Sequence, residues 1–203
     1  MVDDWAKTIL EIDLIDGLRH GVCVSNLTYL IAKKLGLSDE ECNKLAVAGM
    51  VHDIGKLRLS SYLYGRNSNG MIIEEIQYMR KHSRLGYEIL KKYSYNDAIC
   101  EAVLYHHENY DGSGYPDNLK AEKIPLGARI MRVADAFIAL ISERPYREAY
   151  DFDSAISIMI EDVKEYDMQV FLAFMDVIHE DGMLEKIRQD QLSIDYDMEE
   201  LNF

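Results

Sequence analysis

The chain has six histidines, and five of them, His20, His52, His82, His106 and His107, lie within its first 107 residues. Two aspartates stand beside or among them in suggestive settings. Asp53 directly follows His52 at the end of an apolar run (Leu45, Ala46, Ala48, Met50, Val51), and Gly55-Lys56 comes next. Asp135 sits inside the apolar stretch Ile130-Met131-Val133-Ala134-Ala136-Phe137, where an unpartnered carboxylate is expensive. His106-His107 closes the run Ala102-Val103-Leu104, and metal coordination would satisfy two imidazoles that are otherwise costly to bury. This is an imidazole and carboxylate set with no thiolate, which suits iron, manganese or zinc at higher coordination rather than a structural zinc site. It is too large for one ion. Two six-coordinate ions sharing Asp53 and a hydroxide would use His20, His52, His82, His106, His107 and Asp135, the equipment for in-line attack on a phosphodiester. Asp16, four residues before His20 and on its helical face, would be spare or would help hold a third ion. Residue types alone leave plainer readings open: a helix-end His-Asp pair, and an exposed His-His pair before a tight turn. His179, in an acidic setting, reads as a surface or core-edge histidine.

The elements that must position these groups are helical nearly throughout. Leu10, Leu14, Leu18 and then Val24, Leu27, Leu30, Ile31 recur at helical spacing. Ser38-Asp39-Glu40-Glu41 is a capping-box signature opening a helix from Cys42 to Val51. Further helices are expected over Ile72–Tyr93 with an interruption near His82–Gly86, and over Asn96–Glu108, Leu126–Ser142, Asp153–Glu165 and Asp167–Ile187. Gly65–Gly70 and Asp111–Lys123 read as loops. There is no βαβ alternation. The expectation is one all-α domain over residues 1–190, with a motif-bearing part at about 15–147, acidic helices at about 151–188, and an acidic tail at 191–203.

Charge sharpens this division. The 203 residues carry a formal −14, from 36 acidic and 22 basic side chains. Residues 1–147 hold 20 acidic and 19 basic groups, whereas 148–203 hold 16 and 3. The acidic balance disfavours polymeric nucleic acid as a partner but leaves a small phosphate ligand open. The start MVDDWAKTIL lacks the features of a signal peptide, and no apolar run approaches the ~18 residues of a membrane span. Cys23, Cys42 and Cys100, widely spaced and odd in number, read as buried thiols in a cytoplasmic protein.

Four blocks, His52-Asp53-Ile54-Gly55-Lys56, His106-His107-Glu108, Asp111-Gly112-Ser113-Gly114-Tyr115-Pro116 and Arg144-Pro145-Tyr146-Arg147, resemble the HD-GYP family, a subgroup of the HD metal-dependent phosphohydrolases. The resemblance spans roughly residues 15–180. It implies an HD-domain helical bundle with C-terminal HD-GYP helices and hydrolysis of cyclic di-GMP to linear pGpG, and in some members GMP, by metal-activated hydroxide. It implies metal ligands at His20, His52, Asp53, His82, His106, His107 and Asp135, with Asp16 at the position of a third-ion carboxylate that is typically Glu. It implies Lys56 on the scissile phosphate, Arg144 and Arg147 gripping substrate, and Tyr115 beside the base. The cofactors expected are two divalent ions, iron or manganese ahead of zinc, nickel or magnesium, with a third if Asp16 contributes. The alternatives are a general HD nucleotide phosphohydrolase and a catalytically weak sensor or docking module. A homodimer, or docking to a separate signalling protein, is the expectation for macromolecular partners. Three departures stand out: Ile138 where the family has Asp, an altered segment after HDIGK at Leu59-Ser60-Ser61 and Arg66–Gly70, and Asn118 and Ala121 in place of usual glycines.

Overall fold

The computed structural model describes residues 4–63, 77–143 and 147–190. Among these the regular structure is helical: α1 (Asp4–Lys34), α2 (Asp39–Val51), α3 (Lys56–Leu63), α4 (His82–Lys92), α5 (Asp97–Tyr105), α6 (Leu126–Ile141), α7 (Phe152–Glu161), α8 (Met168–Ile178) and α9 (183–190). The all-α expectation is borne out. Arg144, the loop Gly65–Gly70 and the tail 191–203 lie outside the described residues.

Local sequence sets most helix ends. Ser38 caps α2 as expected: its Oγ accepts from Glu41 N at 3.3 Å, and Glu41 Oε2 accepts from Ser38 N at 3.0 Å. Asn96 caps α5, Asp151 caps α7 and Asp167 caps α8, each accepting a first-turn amide on its side chain. Three helices stop earlier than periodicity suggests. α5 ends at Tyr105, so His106 is its C-cap and His107 lies in the turn beyond. The acidic segment is also subdivided: α7 gives way to a 3₁₀ turn at Val163–Glu165. α8 stops at Ile178, and Gly182, at φ 77°, turns the chain before α9 begins.

Packing converts the helical stripes into one core. Val24, Leu27 and Ile31 on α1 are fully buried and meet α2, α6 and α8. α1 and α2 cross so closely that a Cβ on Gly49 would stand 2.9 Å from Ser25 Cα. α6 is the central element, with Ile130, Met131, Val133, Ala134, Phe137 and Ile138 at 0% exposure. Phe137 stacks on Phe152 of α7 at 6.1 Å and meets Phe174 of α8 edge-on at 5.0 Å. The acidic C-terminal helices therefore share the core of the motif-bearing helices rather than forming a separate unit. Among the described residues, no helix is long and apolar enough to cross a membrane.

Candidate metal centre

Each ligand residue expected from the sequence arises at the end or on the inner face of a helix. His20 comes from α1, His52 caps the C-terminus of α2, and Asp53 follows in the turn to α3. His82 opens α4, His106 and His107 end α5, and Asp135 projects from the middle of α6. Three helix ends and the inner faces of two further helices thus converge on one point. The rings of His20 and His52 lie 5.2 Å apart, His52 and His106 5.1 Å, His82 and His106 5.2 Å, and His106 and His107 4.0 Å.

Three of these imidazoles have their tautomer fixed by the backbone. Nδ1 of His52, His82 and His106 lies 2.7 Å from the carbonyl of Gly49, Met79 and Val103 respectively. A carbonyl only accepts, so each Nδ1 must carry the hydrogen and Nε2 must present a lone pair when the ring is neutral. Those lone pairs face one another and the carboxylates. His82 Nε2 is 3.3 Å from His106 Nε2, 3.1 Å from His107 Nε2 and 3.3 Å from Asp53 Oδ1. Asp53 Oδ1 and His20 Nδ1 are buried without a hydrogen-bond partner. Such convergence of acceptors is unfavourable by itself, and a cation resolves it. The donor chemistry therefore fits a metal ion.

The ligand atoms fall into groups. His82, His106 and His107 form one, His20, His52 and Asp135 another, and His52, Asp53 and His106 a third that joins the two. Asp53 stands between them: Oδ2 lies 3.3 Å from His52 Nε2 and Oδ1 faces His82. Asp135 Oδ1 accepts from His20 Nε2 at 2.9 Å and lies 3.7 Å from His52 Nε2. Burial disfavours charge throughout and holds the His106 imidazole well below its usual range and His107 at about 3. Burial acts the same way on His52, but the Asp53 and Asp135 carboxylates outweigh it and raise that ring to about 9. Asp53 and Asp135 are both held well below the ordinary carboxylate range, against their burial, by the neighbouring imidazoles and, for Asp53, by Lys56.

Other expected residues are placed less uniformly. Lys56 Nζ lies 2.5 Å from Asp53 Oδ2, at the edge of the cluster. Tyr115 stacks on His107 at 4.7 Å, with Arg80 over its ring at 5.1 Å. Asp16 is not brought to the cluster; it is exposed and pairs with Arg19 Nη1 at 3.2 Å. This argues against the third ion expected from it. Arg147 lines the cavity, yet its terminal nitrogens donate to the carbonyls of Ala139, Leu140, Ser142 and Glu148, and its plane lies over Tyr150. It thus closes the C-terminal end of α6, with its hydrogen-bonding edge committed to backbone. Ile138 is fully buried in the core and does not line the cavity.

The turn carrying Tyr115 is braced from below. The buried Glu108 accepts from Asp117 N at 2.7 Å and from Leu119 N at 3.0 Å, and Tyr115 N donates to His107 O at 3.1 Å. Asn118 and Ala121, the two departures from glycine, have φ 54° and 55°. Both positions demand the left-handed region, which explains the glycine preference. Asn118 tolerates it and its side chain bonds Gly114 O, whereas Ala121 bears the steric strain. Ala121→Gly is accordingly expected to raise unfolding stability by about 0.5–1 kcal/mol, readable in a urea titration.

The cluster opens into a cavity of about 440 Å³, lined by His20, Asp53, Lys56, His107 and Asp135. A further part of its lining was not foreseen from sequence. It consists of Arg132 of α6 with Ile158, Asp162, Glu165 and Tyr166 from the acidic segment. Arg132 alone had a legible signal, since it precedes the buried Asp135 by one helical turn.

A family model described as the HD domain matches residues 6–170. The chain belongs to the HD domain family. Among curated relatives of this HD domain is the cyclic di-GMP phosphodiesterase response regulator RpfG of Xanthomonas campestris pv. campestris, 43% identical over 137 residues, 66% of this chain and 36% of that one. A cyclic di-GMP phosphodiesterase of Pseudomonas aeruginosa is 33% identical, covering 86% of this chain and 43% of its own. The 3′3′-cGAMP-specific phosphodiesterase 1 of Vibrio cholerae is 35% identical, covering 75% and 36%. These relatives bear out the HD-GYP resemblance, and the HD domain here spans only about two fifths of their length. In fold, it matches an HDG"Y"P protein from Bdellovibrio bacteriovorus at TM-score 0.64 and 23% identity, over 78% of this chain and 51% of that one. A cyclic GMP-AMP specific phosphodiesterase of V. cholerae matches at TM-score 0.67 and 14% identity, over 89% and 52%.

Proposed function

We propose that this HD domain hydrolyses a cyclic dinucleotide, cyclic di-GMP first, to the linear pGpG, with two divalent ions of the iron or manganese type. The observation that carries the reading is the pair of ligand groups on either side of Asp53, opening into one cavity beside Lys56. Ions held there would supply an activated water and positive charge for the phosphoryl oxygens.

The chain's own residues account for the rest. His82, His106, His107 and Asp53 would hold one ion, and His20, His52, Asp135 and Asp53 the other. The Nδ1–H bonds of His52, His82 and His106 to backbone carbonyls fix ring orientation, so little reorganisation is needed when ligands engage. Lys56, hydrogen-bonded to Asp53, is placed to donate to a phosphate oxygen and to stabilise charge developing on it. Tyr115, half-buried and stacked on the cavity-lining His107, offers a flat ring to a base. Arg147 supports the reading as a brace beneath the cavity, and Arg144 remains the substrate-gripping candidate. Three free buried thiols, Cys23, Cys42 and Cys100, accord with a reducing, cytoplasmic setting. The test is to incubate manganese-loaded protein with cyclic di-GMP, with its mixed GMP–AMP analogue and with a panel of mononucleotides. The expected result is linear dinucleotide from the cyclic substrates; turnover confined to mononucleotides would favour the plainer HD phosphohydrolase.

A further inference from the structure

A second set of residues lining the cavity belongs to none of the four motif blocks, and its chemistry is specific. Arg132 is held along one edge: Nε donates to Asn109 Oδ1 at 2.8 Å and Nη2 to Glu165 Oε2 at 2.8 Å. The guanidinium lies over the Tyr166 ring at 5.2 Å, which fixes its plane. Nη1 makes no hydrogen bond with the described residues, and Arg132 lines the cavity. Asp162, the C-cap of α7, lines the same cavity at its exposed rim, and its carboxylate makes no hydrogen bond or ion pair with the described residues.

Charge decides what such a wall can hold. Glu165 already offsets Arg132, and Asp162 adds a further negative charge, so these three residues together carry a net −1, while Arg147, which also lines the cavity, has its guanidinium engaged by backbone carbonyls. That set disfavours a phosphate, which is better served by the histidine–aspartate cluster and Lys56 in the same cavity. A fixed N–H donor and a free carboxylate acceptor lining one cavity suit a base edge instead. Guanine offers an O6 acceptor beside N1–H and N2–H donors; adenine sets an amino donor against the guanidinium and an N1 lone pair against the carboxylate.

We infer that Arg132 and Asp162 read one guanine of the substrate, Arg132 Nη1 donating to O6 and the Asp162 carboxylate accepting from N1–H and N2–H. This rests on the cyclic-dinucleotide reading above and names the bases it accepts. One wall reads one base, so a mixed cyclic GMP–AMP can present its guanine as well as cyclic di-GMP does, while cyclic di-AMP cannot.

The test measures kcat/KM for cyclic di-GMP, 3′3′-cGAMP and cyclic di-AMP with manganese-loaded wild type, Asp162→Asn, Arg132→Met and Arg132→Lys. Wild type should use the two guanine-containing substrates comparably and cyclic di-AMP at least ~10-fold less well. Asp162→Asn, an exposed change that leaves packing intact, should lower the preference for cyclic di-GMP over cyclic di-AMP by ~10-fold or more, chiefly through KM. Arg132→Met should do the same, and Arg132→Lys should restore part of the preference. Equal losses on all three substrates, or an unchanged preference in Asp162→Asn, would overturn the inference. Wild-type hydrolysis of all three alike would also overturn it while leaving the phosphodiesterase reading intact, whereas no cyclic dinucleotide hydrolysis at all would remove that reading itself.

Discussion

Asp53→Ala should yield a folded protein that retains at most one divalent ion and turns over cyclic dinucleotide ~10³-fold or more slowly, a loss of about 4 kcal/mol in transition-state stabilisation. The two oxygens of Asp53 face different imidazoles at 3.3 Å, so no other side chain replaces both contacts at once. Its removal also takes away the anion that draws in Lys56. Elemental analysis beside a product assay measures both effects. Thermal unfolding supplies a third reading. At an ion concentration about 100-fold above Kd, manganese should raise the wild-type midpoint by roughly 5–10 °C, and this gain should largely vanish in the variant. Full ion content with wild-type turnover in Asp53→Ala would contradict the bridging role.

The second large effect is steric. A Cβ on Gly55 would stand 1.9 Å from His82 O and 2.7 Å from Gly86 N, both backbone atoms of the first turns of α4. Neither can yield by a side-chain rotation, so the turn after Asp53 and the start of α4 must separate. Gly55→Ala is therefore expected to cost more than ~3 kcal/mol of stability, a fall of roughly 10 °C in melting temperature. The same displacement carries His82 away from Asp53, so ion content should fall with it. A wild-type melting temperature would show that the turn and α4 do not meet as described.

What was legible in the sequence follows from how locally each feature is encoded. The helical class and the Ser38 capping box are short-range properties and appear as expected, whereas the interruption expected near His82–Gly86 falls at Arg80–Lys81, so that α4 runs unbroken from His82. The ligand types were legible because buried imidazoles and a carboxylate in apolar helices have few inexpensive explanations. Their convergence was not, since residues from five helical elements meet only through packing that sequence spacing does not display. Arg147 shows the limit of motif reading: the block containing it points to substrate, whereas its guanidinium is engaged by the carbonyls at the end of α6. The acidic C-terminal segment shows the converse. It holds none of the expected ligands, yet Asp162, Glu165 and Tyr166 line the cavity because α7 and α8 share the core of α6.

The central claim is attack of an activated water on a cyclic phosphodiester with the 3′ oxygen leaving. Hydrolysis of cyclic di-GMP by the manganese-loaded protein in ¹⁸O-enriched water, followed by mass analysis of the products, tests it directly. The account predicts linear pGpG with one solvent oxygen in its terminal 5′ phosphate, and no product after chelation. Intact cyclic di-GMP, or a linear product whose phosphate carries no solvent oxygen, would contradict it.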